Sequence, residues 1–242
     1  MTIPSSLTYG VAYVLVLSSL MVAGIEDYRS RLINDKYWIP AIIAVPLVIY
    51  SVVSNTIIEG EYIIDVMIGI ILAASIYVGR FMGEADSIAI LLISLATPPP
   101  LILNPVLLIL NLPIISILIN SFIPTMALML INVYINVKNS SKCSNDLNLT
   151  QLILLRCSSV ESILRKPLAY SSPGSSLIRA GSDAESYVAN LPKDAWVWMQ
   201  YNYPYVFILA ISYVIYIVAG NIIANYALMH TLISPLISQN II

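Results

Sequence analysis

The chain has 242 residues, 59% of them hydrophobic and only 10% charged, with a mean hydropathy of +0.87 and a formal net charge of −2. A soluble globular domain is about a quarter charged, so composition excludes that class. Apolar runs of about 18 residues or more recur, continuous and rich in Ile and Leu, which is the pattern of transmembrane helices and not of the short alternating strands of a membrane barrel. The fold class expected is an all-α polytopic membrane protein, and no nucleic-acid partner is expected.

The N-terminal "MTIPSSLTYG" carries no Lys or Arg, and a secretory signal peptide needs a basic start. The first apolar run, Leu7 to Gly24, is therefore expected to be a retained helix. The stretch "GIEDYRSRLIND" follows, Gly24 to Asp35, and with Lys36 it gathers Glu26, Asp27, Arg29, Arg31 and Asp35 at the mouth of that helix. A second span is expected over about Trp38 to Ile58 and a third over about Tyr62 to Gly79. The run from Ser87 to Val137 has 51 residues without a charge. At about 20 residues per span it holds two helices and a short hairpin, broken at "ATPPPLILNPVLLILNLP" because proline cannot donate the helical hydrogen bond. Lys138 to Asn202 is polar and serine-rich, with "KNSSKCSND" as a loose linker and "VESILRKPLAY" as a short helix. Its aromatic end, "WVWMQYNYPY", suits the point where a chain re-enters a bilayer. The last apolar run begins at Tyr203. It is expected to hold one span and a tail, with a break near Gly220-Asn221 as the alternative.

This gives about six spans in three parts. Residues 1–137 form a membrane domain of five spans, 138–202 a polar segment, and 203–242 the C-terminal helix and tail. With five spans before the polar segment, all eleven Lys and Arg fall on one side: three in loop 25–37, Arg80 after the third span, and seven in 138–202. The positive-inside rule makes that side the cytosol and puts the N-terminus outside. The other side has Glu59, Glu61 and Asp65 and no base, and the mid-spans are expected to lack ionisable groups apart from His230.

Lysine and arginine at helix mouths are explained by topology. Carboxylates are not, because they contribute little to topology and are costly to ionise near hydrocarbon. Asp27 ends span one, and Glu84 and Asp86 in "GRFMGEADSIAI" open span four, on the same side and at the same depth. If spans one and four are neighbours, Asp27 and Asp86 meet. Two nearby carboxyls share one proton; the ionised acid activates water and the protonated one binds a scissile carbonyl, with no cofactor. Serine chemistry fits poorly, because the sole histidine, His230, lies in the last apolar run. Cys143 and Cys157 form no CxxC pair, so a metal site is not expected, and both are expected to be ordinary thiols in a reducing compartment.

On these residues the chain resembles archaeal type IV prepilin peptidases, also called preflagellin peptidases, membrane aspartyl proteases of the GxGD kind. Asp27 matches the acid after the first helix, followed by a basic linker and "LIND". Gly83-Glu84-Ala85-Asp86 matches the motif that opens the fourth, with Ala85 where the motif has its second glycine and Asn34 where bacterial relatives often have proline. The resemblance implies catalysis by Asp27 and Asp86 and removal of short basic leaders from pilin-like and archaellin precursors, at the cytosolic face of the cell membrane. The four-cysteine zinc site of bacterial relatives is missing, so methylation of the new N-terminus is not implied. Glu26 and Glu84 flank the acids as charges that would attract a basic leader. Two readings from other classes stand beside this one: an ion- or proton-coupled transporter, and a non-catalytic membrane assembly protein docking through 138–202.

Overall fold

The structure is a computed structural model and describes residues 5–54, 56–79, 82–99, 110–143, 149–173 and 182–222. The expectations for Arg80, His230 and the tail beyond 222 lie outside these residues. The described chain is mostly helical. Four stretches are long and apolar enough to cross a membrane: Leu7–Ser30, Asp35–Val53, Glu59–Gly79 and Pro113–Lys142. Tyr205–Ala219 is a shorter apolar helix. The chain is a multi-pass, all-α membrane protein.

Helix α1 spans Ser5–Ser30. It ends where Arg31 takes a left-handed φ of 63°, a conformation that costs a non-glycine residue and stops helix propagation. Asn34 then caps a 3-10 turn over Asp35–Trp38 by accepting the Lys36 N–H, and α2 follows at Ile39–Val53 with Pro40 in its first turn, where no donor is needed. Helix α3 is Thr56–Gly79 and α4 is Glu84–Ala96. The later part of the uncharged run forms α5, Pro113–Asn120, and α6, Phe122–Asn139, on either side of Ser121. Short elements fill the polar segment: α7 (Leu149–Leu154), β1 (Leu155–Ser159), α8 (Val160–Arg165), β2 (Tyr170–Ser171), α9 (Ser182–Val188) and β3 (Trp196–Tyr201). Helix α10, Tyr205–Ala219, closes the described chain.

Side chains of α1, α2, α4, α5 and α10, among them Val16, Leu20, Ala44, Val48, Ile93, Ile117, Leu209 and Tyr213, form one fully buried core. Helix α1 packs on α2 and α10 and touches α4, while α3 packs on α4. Small residues set the last approach: a Cβ placed on Gly69 of α3 would overlap the fully buried Ser94 side chain of α4. Without a hydrophobic drive inside lipid, such close packing is what joins helices.

The structure departs from the sequence reading in three places. Asp65 is not an open boundary charge. It is fully buried in α3, and its Oδ1 accepts the Ile114 N–H at 3.0 Å in the first turn of α5, an interhelical cap for donors that α5 itself leaves free. Second, residues 138–202 hold more than a loose linker and one helix: the helix expected in "VESILRKPLAY" forms at Val160–Arg165, but beside it lies a sheet. Strand β3 pairs antiparallel with both β1 and β2, giving the order β1–β3–β2. Ile163, Ala184, Val188 and Met199 form a small core of its own on that sheet. The strand "WVWMQY" carries no apolar–polar alternation to announce it, and its aromatic content suits an interface equally well.

Third, the cysteines are not free thiols: Cys143 and Cys157 form a disulfide. The same junction is held by two buried asparagines one turn apart on α6. The Asn132 amide donates to the carbonyls of Ile153 and Leu155, and the Asn136 amide to those of Leu152 and Leu155. Asn136 Oδ1 also accepts the Cys157 N–H at 3.0 Å. These bonds fasten β1 to the end of the membrane helix.

Overpacking a filled interior costs about 1–3 kcal/mol. Gly69→Leu is therefore expected to lower stability by about 3 kcal/mol, read as the midpoint of unfolding in detergent; an unchanged midpoint would refute the α3–α4 contact.

Candidate active site

Asp27 lies one turn before the end of α1 and is 8% exposed. Gly24, three residues earlier, makes its environment. A Cβ there would stand 3.0 Å from the Phe207 Cα, so the absence of a side chain lets the start of α10 press on α1. The approach brings two unpaired N–H groups of α10 onto Asp27: its Oδ2 accepts from Val206 at 3.0 Å and from Phe207 at 3.4 Å. An acid here complements the positive end of a helix as an N-cap side chain does, although it is 179 residues away in sequence. Tyr28 stacks on Phe207 beside this contact, with centroids 5.1 Å apart.

The second oxygen, Oδ1, faces Arg31 at 3.4 Å, and both side chains are largely shielded, 9% and 11% exposed. The same guanidinium donates to the carbonyl oxygen of Asn202, at the end of the polar segment. Arg31 thus links Asp27, the turn after α1 and the strand that leads into α10. Topology alone was the sequence explanation of Arg31. The i,i+4 spacing of Asp27 and Arg31 is the signal that pointed further.

Asp86 sits at the third position of α4. Its Oδ2 accepts the N–H of Gly83, the residue that caps the helix, at 2.9 Å, one half of a capping box. Gly83 has φ −67° and ψ 156°, open to any residue. Ala85 is helical and packs against the main core. At that place alanine favours the helix by roughly 1 kcal/mol over glycine, a physical reason for its departure from the motif.

Asp27 and Asp86 lie on the two helices that meet where α1 contacts α4. Asp86 is within electrostatic reach of both Asp27 and Arg31, across the contact of α1 with α4. No hydrogen bond joins the two carboxyls. Tyr205, the first residue of α10, is also within reach of Asp86; it lay unremarked within an aromatic stretch of the sequence. Glu26 is partly exposed and Glu84 exposed, and neither has a cationic partner among the described residues. Those residues hold no cluster of three metal-ligating side chains.

Both acids are helix caps, but of unequal weight. Removing one partner of a shielded ion pair costs about 3–5 kcal/mol, and removing a cap about 1 kcal/mol. Asp27→Ala should therefore destabilise the protein by about 3 kcal/mol more than Asp86→Ala does. Unfolding midpoints in detergent read this, and equal losses would contradict the geometry around Asp27.

No curated protein matches the chain. Residues 1–131 match a family model, the type IV leader peptidase family, over a stretch that includes Asp27 and Gly83 to Asp86 and stops within α6, before the polar segment. The match covers more than half of the chain, and the chain belongs to the type IV leader peptidase family.

Proposed function

We propose that this protein is an aspartyl endopeptidase in which Asp27 and Asp86 are the catalytic pair. The single observation that carries this reading is the convergence of the two acids, 59 residues apart in sequence, at one end of α1 and α4 in a member of a leader peptidase family. Two carboxyls that close on one substrate share a proton, and their titration then belongs to the pair. The ionised acid takes a proton from water as the oxygen attacks the scissile carbonyl. The protonated acid donates a hydrogen bond to that carbonyl oxygen as charge develops, then passes its proton to the departing nitrogen. All of this is done by the chain's own groups.

Substrates are precursors with pilin-like or archaellin-like leaders. The substrate's apolar helix stays in the bilayer, and its short basic leader reaches the acids at the membrane boundary. Glu26 and Glu84, free of cationic partners among the described residues, attract that leader. No methyl transfer accompanies the cut. Residues 1–137 are the membrane domain, 138–202 a cytosolic segment, and 203–242 the last helix and tail.

The catalytic face is cytosolic on the strength of the basic residues. The Cys143–Cys157 disulfide points the other way by the ordinary redox rule, but disulfides do persist inside hyperthermophiles. In sealed, right-side-out vesicles, a membrane-impermeant amine reagent should label Lys138 and Lys193 only after the vesicles are opened. Labelling of intact vesicles would reverse the orientation.

The peptidase test is the size shift of a pilin-like precursor co-expressed in membranes. Asp27→Asn and Asp86→Asn should each lower processing at least about 100-fold at unchanged protein level. Processing that survives both substitutions removes the pair from the mechanism. Glu26→Lys with Glu84→Lys should raise KM for a basic leader with little change in kcat, and equal kinetics would leave these two residues without that role.

A further inference from the structure

We propose that the protein holds the phosphate of an anionic lipid headgroup in a cationic pocket between the end of α1 and the small sheet of the polar segment. The cavity is about 260 Å³, smaller than the roughly 300–1,000 Å³ of sites that enclose a drug-sized ligand. It suits a headgroup whose acyl chains stay in the bilayer. Tyr28 lines it from α1, Arg31 from the turn after α1, Arg156 from β1, Arg165 and Lys166 from the end of α8, and Tyr201 from β3.

Four cations on one small cavity need an anion. Arg31 is engaged with Asp27. Arg165 pairs with Glu161 at 2.6 Å, but the two side chains are 76% and 60% exposed, and a pair so open to water contributes little and exchanges partners readily. Arg156 and Lys166 have no acidic partner among the described residues. The Arg156 guanidinium is held over the Tyr201 ring, 4.6 Å from its centroid. A planar guanidinium fixed by stacking keeps its donors free for a phosphate.

Depth selects the source of that anion. Tyr28 is 51% exposed at the end of a membrane-length apolar helix, and Leu32, just beyond it, is 67% exposed. Tyrosine and arginine at a helix end mark the headgroup level, where basic pockets collect anionic lipid. A basic leader would be repelled by this pocket. The site is therefore separate in charge from the acidic pair, although Arg31 touches both. The inference does not rest on the peptidase reading, since binding is measured without substrate.

The test uses the full chain, stripped of lipid in a neutral detergent and titrated by calorimetry. The probes are dihexanoyl phosphatidylglycerol, dihexanoyl phosphatidylcholine, inorganic phosphate and a hexaglutamate peptide. Phosphatidylglycerol should bind saturably and phosphatidylcholine at least about tenfold more weakly. Arg165→Gln combined with Lys166→Gln should weaken phosphatidylglycerol at least about tenfold, the loss of one or two charged hydrogen bonds. Lys138→Gln removes a charge outside the pocket and should change nothing. Lys166→Gln alone, expected to weaken binding severalfold, serves if the double variant loses its helical circular dichroism. Equal binding by variant and parent overturns the proposal, as does equal binding of both lipids. Binding of phosphate or hexaglutamate without phosphatidylglycerol also overturns it, in favour of a soluble anion or an acidic peptide.

Discussion

The carboxylate of Asp27 ties the end of α1 to the start of α10 and to the turn that follows α1. One oxygen takes up the free N–H groups that open α10, and the other faces Arg31, which reaches on to the carbonyl of Asn202. A helix that starts inside a membrane protein has donors that neither lipid nor a neighbouring helix supplies with acceptors. A buried acid is the strongest acceptor available and complements the helix dipole as well. Holding the first and last described helices together is therefore the same act as fixing the orientation of the acid. Asp65 repeats the device at the start of α5.

This double use removes a contrast that sequence reasoning drew too sharply. An acid at a helix mouth was either a boundary charge or a chemical group. Asp27 and Asp86 are both caps, and capping fixes the orientation of each. A cap is rigid, and a carboxyl group held by N–H donors from helices packed on a common core keeps its position. The cost of building an acid pair this way is sensitivity: a change in either helix start moves the site. Gly24 shows how little room there is, since its missing side chain is what allows α10 to reach Asp27.

The polar segment is bound to the membrane helices at both ends. At its start, Asn132 and Asn136 of α6 bond to the backbone of α7 and β1, and the disulfide closes the same joint. At its end, Arg31 holds Asn202, and the Asn202 amide donates to the Leu168 carbonyl. Basic residues that topology explains as markers of one membrane side thus also dock this segment and line its pocket with positive charge. One kind of residue serves both purposes because a long cationic side chain can anchor at the membrane boundary and still donate to a carbonyl or a phosphate.

The sequence by itself determined the class of the protein, an all-α multi-pass membrane protein, and singled out the two acids with their motif. Hydrophobic length and charge scarcity are summed over many residues and survive any detail of packing. It also pointed to Asp27 and Asp86 as an equal pair, because their position along the helices follows from the spans alone. Three things were decided only by tertiary structure. Whether α1 and α4 touch depends on how the helices pack around the common core, which no periodicity records. Asp65 became a buried cap because the broken run beyond α4 starts a helix against it, a contact 49 residues away in sequence. The polar segment became a sheet because its strands pair with partners up to 45 positions distant, Leu155 with Gln200, while each strand alone is too short and too mixed to declare itself. Local pattern specifies which surface must be buried; which other surface buries it is a long-range choice, and here that choice placed the acids, the arginine and the pocket side by side.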